Sequence, residues 1–522
     1  MNKNKLTRRD FLKMAGVTSA GLALSACGID FTKLPDPTVT ASITPSPTST
    51  QTPFPTPGTL ASLKDLELWI SDFVNSYGGK IKLYETDFGA SELVNKIRTN
   101  PESFTQTKVI DGKEYSFVMV NDVPLGIAGE DRKWGESSLR ILAELKGIEL
   151  EFAWAGDDFL RQHNISSEKY VELSKLIGDS FIIGGGVQTQ QVFQSFTTQD
   201  WQRVVKNWSD IKEQLQNNIV PAGYPYYLDY GKEMISQVTK ASISGNPKMR
   251  GLWLMHLGNG LDSIVKGNFS SQELSNILEF IIKSIVLSFP EISRWNATDE
   301  LVNAYVTEEP ELRFWYQIFD KSPNQVQISD VADLMILIAK FIKEVNSNLE
   351  VIICEDAILD FNNAYAPWSI NAFNKVLENI SSKSQSYLFK GVDCQFNVWV
   401  YDGLDIDKMK ENIKKWSEWG FKLFGSETMI VSGDVSSNRR TQGVLLGKVD
   451  PIEQQDLMYA QLLQLYLDAQ APTFGFGELG DMDNWLEMGD DPLYNSAPGI
   501  FDKNYKKKSC YFVLAKTLFA NI

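Results

Sequence analysis

From Leu139 onward the chain changes texture, and two spacings of apolar residues take turns along it. Stretches such as SSLRILAELKG, EKYVELSKLIG, QELSNILEFIIKSIVLSF, VADLMILIAKFIKEV, DKMKENIKKWSEWG and IEQQDLMYAQLLQLYLDA repeat apolar side chains every three or four positions, which predicts amphipathic helices. Between them lie the short apolar runs IELEFAW (148–154), SFIIGGG (180–186), MRGLWLM (249–255), ISRWNA (292–297), LEVIICED (349–356), GVDCQFNV (391–398), FKLFGSE (421–427) and PTFGFGE (472–478), each read as a strand. Strands alternating with helices predict an α/β fold. Eight such pairs match a (β/α)8 TIM barrel with insertions better than an open doubly wound sheet. No glycine fingerprint of a dinucleotide fold follows the first run, and Gly184-Gly185-Gly186 lacks the Lys-Ser/Thr that completes a phosphate loop.

Residues 59–135 read differently. A helix-like LASLKDLELWISDFVNSY and a hairpin around GKEYSFVMVNDVPLGI predict a small α+β extension ahead of the barrel domain, residues 139–522. Its size and modest aromatic content favour packing on the barrel over an independent carbohydrate-binding module. Residues 28–58 include DPTVTASITPSPTSTQTPFPTPG, a Pro/Thr/Ser-rich segment that cannot bury enough apolar surface to fold and reads as an extended linker. Residues 1–27 pair Arg8 and Arg9 with the apolar run MAGVTSAGLALSA, an export signal that resembles the twin-arginine class. Leu24-Ser25-Ala26-Cys27 resembles a lipobox, so Cys27 is expected to carry a lipid and tether the protein to the outer face of the membrane.

Composition narrows the chemistry. A formal net charge of -16 and the lack of a basic stripe interleaved with aromatics argue against nucleic acid as a partner. Besides Cys27 only Cys354, Cys394 and Cys510 occur, each in an apolar stretch, and they are expected as buried free thiols. With two histidines in the chain, His163 and His256, a histidine-based nucleophile or metal centre has few parts available. Carboxylates remain. Glu427 is expected to close the seventh strand and Glu300 follows the fourth in SRWNATDE, so both would face the C-terminal mouth of one barrel. Paired carboxylates across a cleft suit glycosidic cleavage: one gives a proton to the leaving oxygen and the other attacks the anomeric carbon.

Several stretches in chain order then point to one family. They are WNATDE (295–300) against W-D-V-V-N-E, Glu355-Asp356 against Asn-Asp, GVDCQFNV against GiGxQgHl, and GFKLFGSETMI (420–430) against GlevqiTELDv. Further on, Asp481-Met482-Asp483-Asn484-Trp485 matches D-x-x-S-W, and PGIFDKNYKKKSCYFVLAKTL matches a closing plLFDenYqpKPAYyal. From Leu139 to the C-terminus the chain thus resembles a divergent glycoside hydrolase family 10 domain, a family mostly of retaining endo-β-1,4-xylanases. The resemblance implies Glu300 as acid/base, Glu427 as nucleophile, and Asp299, Gln395, Asn397, Trp485 and His256 as sugar contacts. It implies no metal or organic cofactor, a β-linked polysaccharide or oligosaccharide as partner, and a monomer. A retaining pair would stand about 5–5.5 Å apart.

The departures are specific. Asp299 replaces an Asn, Asn397 a His, and Met429 an Asp, while Val187-Gln188-Thr189-Gln190-Gln191 stands where the family grips sugar with E-N-x-M-K. The strand-three pattern R-G-H-x-L-V-W-H survives only as RGLWLMH (250–256), one residue short. Two functions are compatible with this pattern: a retaining β-glycanase acting on xylan or a related plant-type β-glycan, or a lipid-anchored glycan-binding protein on the same barrel that has lost turnover.

Overall fold

The computed structural model describes residues 63–83, 86–128, 134–184, 187–251, 262–306, 314–356, 358–359, 366–432, 445, 448–483 and 497–522. The extension begins with helix α1 (Leu63–Ser76), the short hairpin β1 (Ile81–Leu83) and β2 (Thr86–Phe88), and helix α2 (Ala90–Thr99). An antiparallel sheet comes next, β3 (Thr105–Ile110), β4 (Lys113–Val120), β5 (Val123–Ala128) and β6 (Trp134–Glu136), and β4–β5 is the hairpin expected from the sequence. Helix α3 (Leu139–Lys146) starts where Ser138 Oγ accepts the Ile141 N–H and stops at Gly147, whose φ of 79° a side chain would resist.

The barrel then builds in strand–helix pairs: β7 (Glu149–Ala153) and α4 (Ser167–Ile177), β8 (Ser180–Ile183) and α5 (Asp229–Ala241), β9 (Lys248–Gly251) and α6 (Ser271–Ser288). The fourth strand, β10 (Arg294–Asp299), is followed by the short α7 (Leu301–Val306) and then α8 (Ile328–Val345). The remaining pairs are β11 (Glu350–Asp356) and α9 (Ala366–Ser382), β12 (Gly391–Trp399) and α10 (Ile406–Glu418), β13 (Lys422–Val431) and α11 (Pro451–Asp468), and β14 (Thr473–Phe476) and α12 (Ser509–Asn521). All eight strands are parallel and close in sequence order, β14 pairing with β7. Every apolar run singled out in the sequence thus holds a barrel strand.

One strand boundary needs correction. Glu427 does not close its strand: β13 continues to Val431, and Met429, Ile430 and Val431 pair with Asn397, Val398 and Trp399 of β12. The apolar residues beyond Glu427 are buried and keep the backbone in the ladder, so the carboxylate sits inside the strand. The fourth strand also reaches further than ISRWNA, to Asp299.

The barrel interior toward the strand starts is ionic rather than filled by branched aliphatics. Arg250 on β9 is fully buried, pairs with Glu151 on β7, and donates from Nη1 to Asp393 Oδ2 on β12 (3.0 Å) and from Nη2 to Thr473 Oγ1 on β14 (3.1 Å). Asn296 Nδ2 donates to the same Asp393 oxygen (2.7 Å), and Arg294 reaches Glu151 and Glu350, the latter at 2.9 Å. Charges this deep are tolerated because each has a partner of opposite sign in hydrogen-bonding range.

The extension lies against the last barrel helix. Phe73 of α1 and Phe117 of β4 meet Phe512 and Phe519 of α12 edge-on, with ring centroids 5.1 and 4.8 Å apart. Lys108 Nζ donates to the Phe519 carbonyl (2.6 Å), and Lys507 pairs with Glu136. Cys354, Cys394 and Cys510 are buried free thiols. Among the described residues no helix is long and apolar enough to cross a membrane.

Candidate active site

Parallel strands point their C-terminal ends to one side of the barrel, and there the carboxylates gather. Glu427 is 8 % exposed, and its neighbour across the ladder is Gln395 of β12. Gln395 Nε2 donates to Asp299 Oδ1 at the end of β10 (3.2 Å), so one amide links the strand of Glu427's partner to the residue before Glu300. Burial, and then the charges of Asp299, Asp393, Asp356 and Glu300, hold the Glu427 carboxyl well above the usual range. Glu300 and Glu427 are thus close enough for each charge to act on the other.

Local backbone irregularities set these positions. Along β12–β13 the pairing steps from Cys394↔Gly425 to Gln395↔Glu427, leaving Ser426 as an extra residue immediately before Glu427. Along β10–β11 it steps from Asn296↔Ile352 to Thr298↔Ile353, leaving Ala297 as the extra residue three positions before Glu300. A bulge of this kind bends the strand and re-aims the side chains beyond it. Glu300 itself has φ 48°, the left-handed region, between the end of β10 and the start of α7. On the far side of Glu427, Gly477 comes after β14, and a Cβ there would lie within 2.9 Å of Met429 Cγ, so the backbone passes close beside the site.

The other sequence-predicted residues divide clearly. Asp299 and Gln395 join Glu300 and Glu427, and Asn397 lies two residues beyond Gln395, with its buried Oδ1 lacking a hydrogen-bond donor among the described residues. His256, Trp485 and Cys27 lie outside the described residues. The chain leading to Trp485 is nonetheless firmly held: Asp483 accepts the Leu479 and Gly480 N–H groups (3.1 and 2.8 Å) and the Tyr170 hydroxyl (2.9 Å), while Asp481 accepts the Gly499 N–H (2.8 Å). Burial pushes the Asp483 carboxyl up to about 6. After β8, Gln188 is buried and accepts from Gln190 Nε2 (2.9 Å), placing amides where the resemblance expects a Glu, an Asn and a Lys. The residue that sequence reasoning passed over is Glu355, fully buried on β11 and bonded to the backbone just past Glu300. Its signal was its acidity where the family has Asn. No group of three or more His, Cys, Asp and Glu with the arrangement of a metal site occurs among the described residues.

A closed (β/α)8 barrel with acidic side chains collected at its C-terminal mouth is an architecture that many different enzymes share, and comparison with known proteins places the chain among them by similarity. The chain is 22% identical over 387 residues, 73% of its length and 91% of the relative's, to "Endo-1,4-beta-xylanase B" of Thermotoga neapolitana. Among solved structures it is similar to xylanase 10B from Thermotoga petrophila RKU-1 in complex with xylobiose, with a TM-score of 0.50, 18% identity, and 73% of this chain and 97% of that one covered. A GH10 endoxylanase retrieved from a sugarcane soil metagenome gives a TM-score of 0.51 at 16% identity, covering 73% and 99%. The barrel shares the fold of these xylanase structures, and the chain is distantly similar in sequence to one endo-1,4-beta-xylanase. Residues 5–25 match the TAT (twin-arginine translocation) pathway signal sequence, which directs export across the cytoplasmic membrane.

Proposed function

We propose that this protein is an exported retaining glycoside hydrolase that cleaves internal β-1,4 links of xylan or a related plant-type β-glycan. The observation that carries the reading is that Glu300 and Glu427 stand at the same end of the barrel, each beyond a bulge and near enough that the charge of Glu300 acts on Glu427. The distant relationship to an endo-1,4-β-xylanase supports the substrate class. In this mechanism Glu300 protonates the departing glycosidic oxygen while Glu427 attacks the anomeric carbon. Water then hydrolyses the glycosyl-enzyme, with Glu300 now acting as base. Asp299, Gln395 and Asn397 would contact the sugar at the cleavage point, together with Trp485 and His256. The lipobox at Cys27 and the linker 28–58 fit a catalytic domain held by lipid on the outer face of the membrane, with residues 59–135 bracing α12.

The acidity around Glu427 favours a second reading, a glycan-binding protein without turnover, because a nucleophile must be ionised to attack. The test is reducing-sugar release from xylan and a panel of β-glycans by the mature protein, measured across pH. Release is expected from at least one polymer. After burial, Asp299 raises Glu427 most, so Asp299→Asn should let Glu427 ionise at lower pH and move the acidic limb of kcat/KM downward. Binding without release from every polymer would make this the binding protein.

A further inference from the structure

Glu300 occupies a backbone conformation that its own side chain disfavours. A non-glycine residue at φ 48° costs roughly 1–2 kcal/mol and persists only where the surroundings fix it. The fixing contacts come from the neighbouring strand. Glu355 on β11 is fully buried and accepts the Val302 N–H at Oε2 (2.9 Å) and the Asn303 N–H at Oε1 (3.2 Å), the second and third residues of α7. Asn303 Nδ2 returns a bond to the Asp356 carbonyl (3.3 Å), so the segment after Glu300 is tied to the end of β11 at three points.

We propose that Glu355 is the positioning residue for Glu300: its buried carboxyl clamps the turn that carries Glu300 and so fixes where the Glu300 carboxyl stands. This deepens the hydrolase reading and rests on it, since it assigns what holds the acid that would protonate the leaving group. Burial holds the Glu355 carboxyl well above the usual carboxylate range, against the pull of the Val302 and Asn303 N–H donors. The charges that act on Glu355 are those of Glu300, in the turn after β10, and Asp299, at the end of β10, with Cys354 and Asp356 flanking it on its own strand; the charge of Glu300 also reaches Glu427. Asn at this position could not accept at two oxygens, so the acid standing in place of the family's Asn adds the second bond of the clamp.

The decisive experiment compares wild type with Glu355→Gln, which keeps the shape and loses one acceptor, and with Glu355→Asp, which keeps both oxygens. With one bond of the clamp gone the turn that carries Glu300 should loosen in Glu355→Gln, and the loss should be recovered at least partly in Glu355→Asp. kcat on a polymer should fall about 10–100-fold with KM little changed. An aryl glycoside whose leaving group needs no proton should lose far less. Glu355→Gln activity on the polymer equal to wild type, or equal losses on both substrates, overturns the assignment. Hydrogen exchange of the peptide spanning 299–306 tests the clamp without turnover: faster exchange in Glu355→Gln is expected, and unchanged exchange overturns it. A wild type inert on every glycan would refute the hydrolase reading, and the exchange measurement would still decide the clamp.

Discussion

Glu427→Gln is expected to lower glycan hydrolysis roughly 10⁴-fold or more while leaving binding intact, because in the proposed mechanism its carboxylate supplies the covalent step. Glu300→Gln should be comparably damaging on a polymer and much less so on an aryl glycoside with a good leaving group, since only the first needs a proton. Stereochemistry separates the two roles. With Glu427→Ala, added azide can attack the anomeric carbon once and yields a glycosyl azide of inverted configuration. With Glu300→Ala, azide attacks the glycosyl-enzyme instead, and two displacements return the original configuration. Product NMR checks this directly. Inverted azide from the Glu300 variant and retained azide from the Glu427 variant would exchange the assignments, and unchanged turnover in both would remove the pair from the mechanism.

Arg250→Leu is expected to cost about 3–5 kcal/mol of stability, the largest effect of any single change outside the mouth. The side chain is fully buried and joins Glu151, Asp393 and Thr473, which come from three other strands. Removing it leaves Asp393 with only the neutral Asn296 amide and Glu151 with Arg294 as its one remaining cation among the described residues. The midpoint of thermal or denaturant unfolding measures the loss. Coupling supplies the control: Arg250→Leu combined with Glu151→Gln should lose less than the sum of the two single changes, because part of the penalty is the abandoned charge. Additive losses would mean that the network contributes through packing alone.

The fold was legible because barrel strands announce themselves as short apolar runs separated by helical spacing, and each run of that kind holds a strand. Strand ends were less legible. A carboxylate in an apolar run reads as its terminus, yet Thr428, Met429, Ile430 and Val431 carry β13 past Glu427 because the ladder with β12 continues. The meeting of Glu300 with Glu427 could be anticipated from strand order alone, whereas the bond between Gln395 and Asp299 joins positions 96 residues apart and leaves no local trace. The same is true of Arg250 and Asp393, separated by 143 residues. Glu355 was visible as an acid in an apolar run, but its role depends on the N–H groups of Val302 and Asn303, and such contacts exist only after the strands have been brought side by side.

The extra residues Ala297 and Ser426 divide their strands into two stretches whose inward and outward faces are out of step. Below the β10 bulge, Asn296 joins the ionic floor with Arg250 of β9 and Asp393 of β12; beyond the two bulges come Asp299 and Glu427. The register of the upper half is therefore set independently of what fills the floor. A redesign of the floor for heat resistance, exchanging ion pairs for aliphatic layers, would keep Glu427 aimed as it is while removing the Asp393 charge that raises it, whereas deleting Ser426 would turn Glu427 toward the helices.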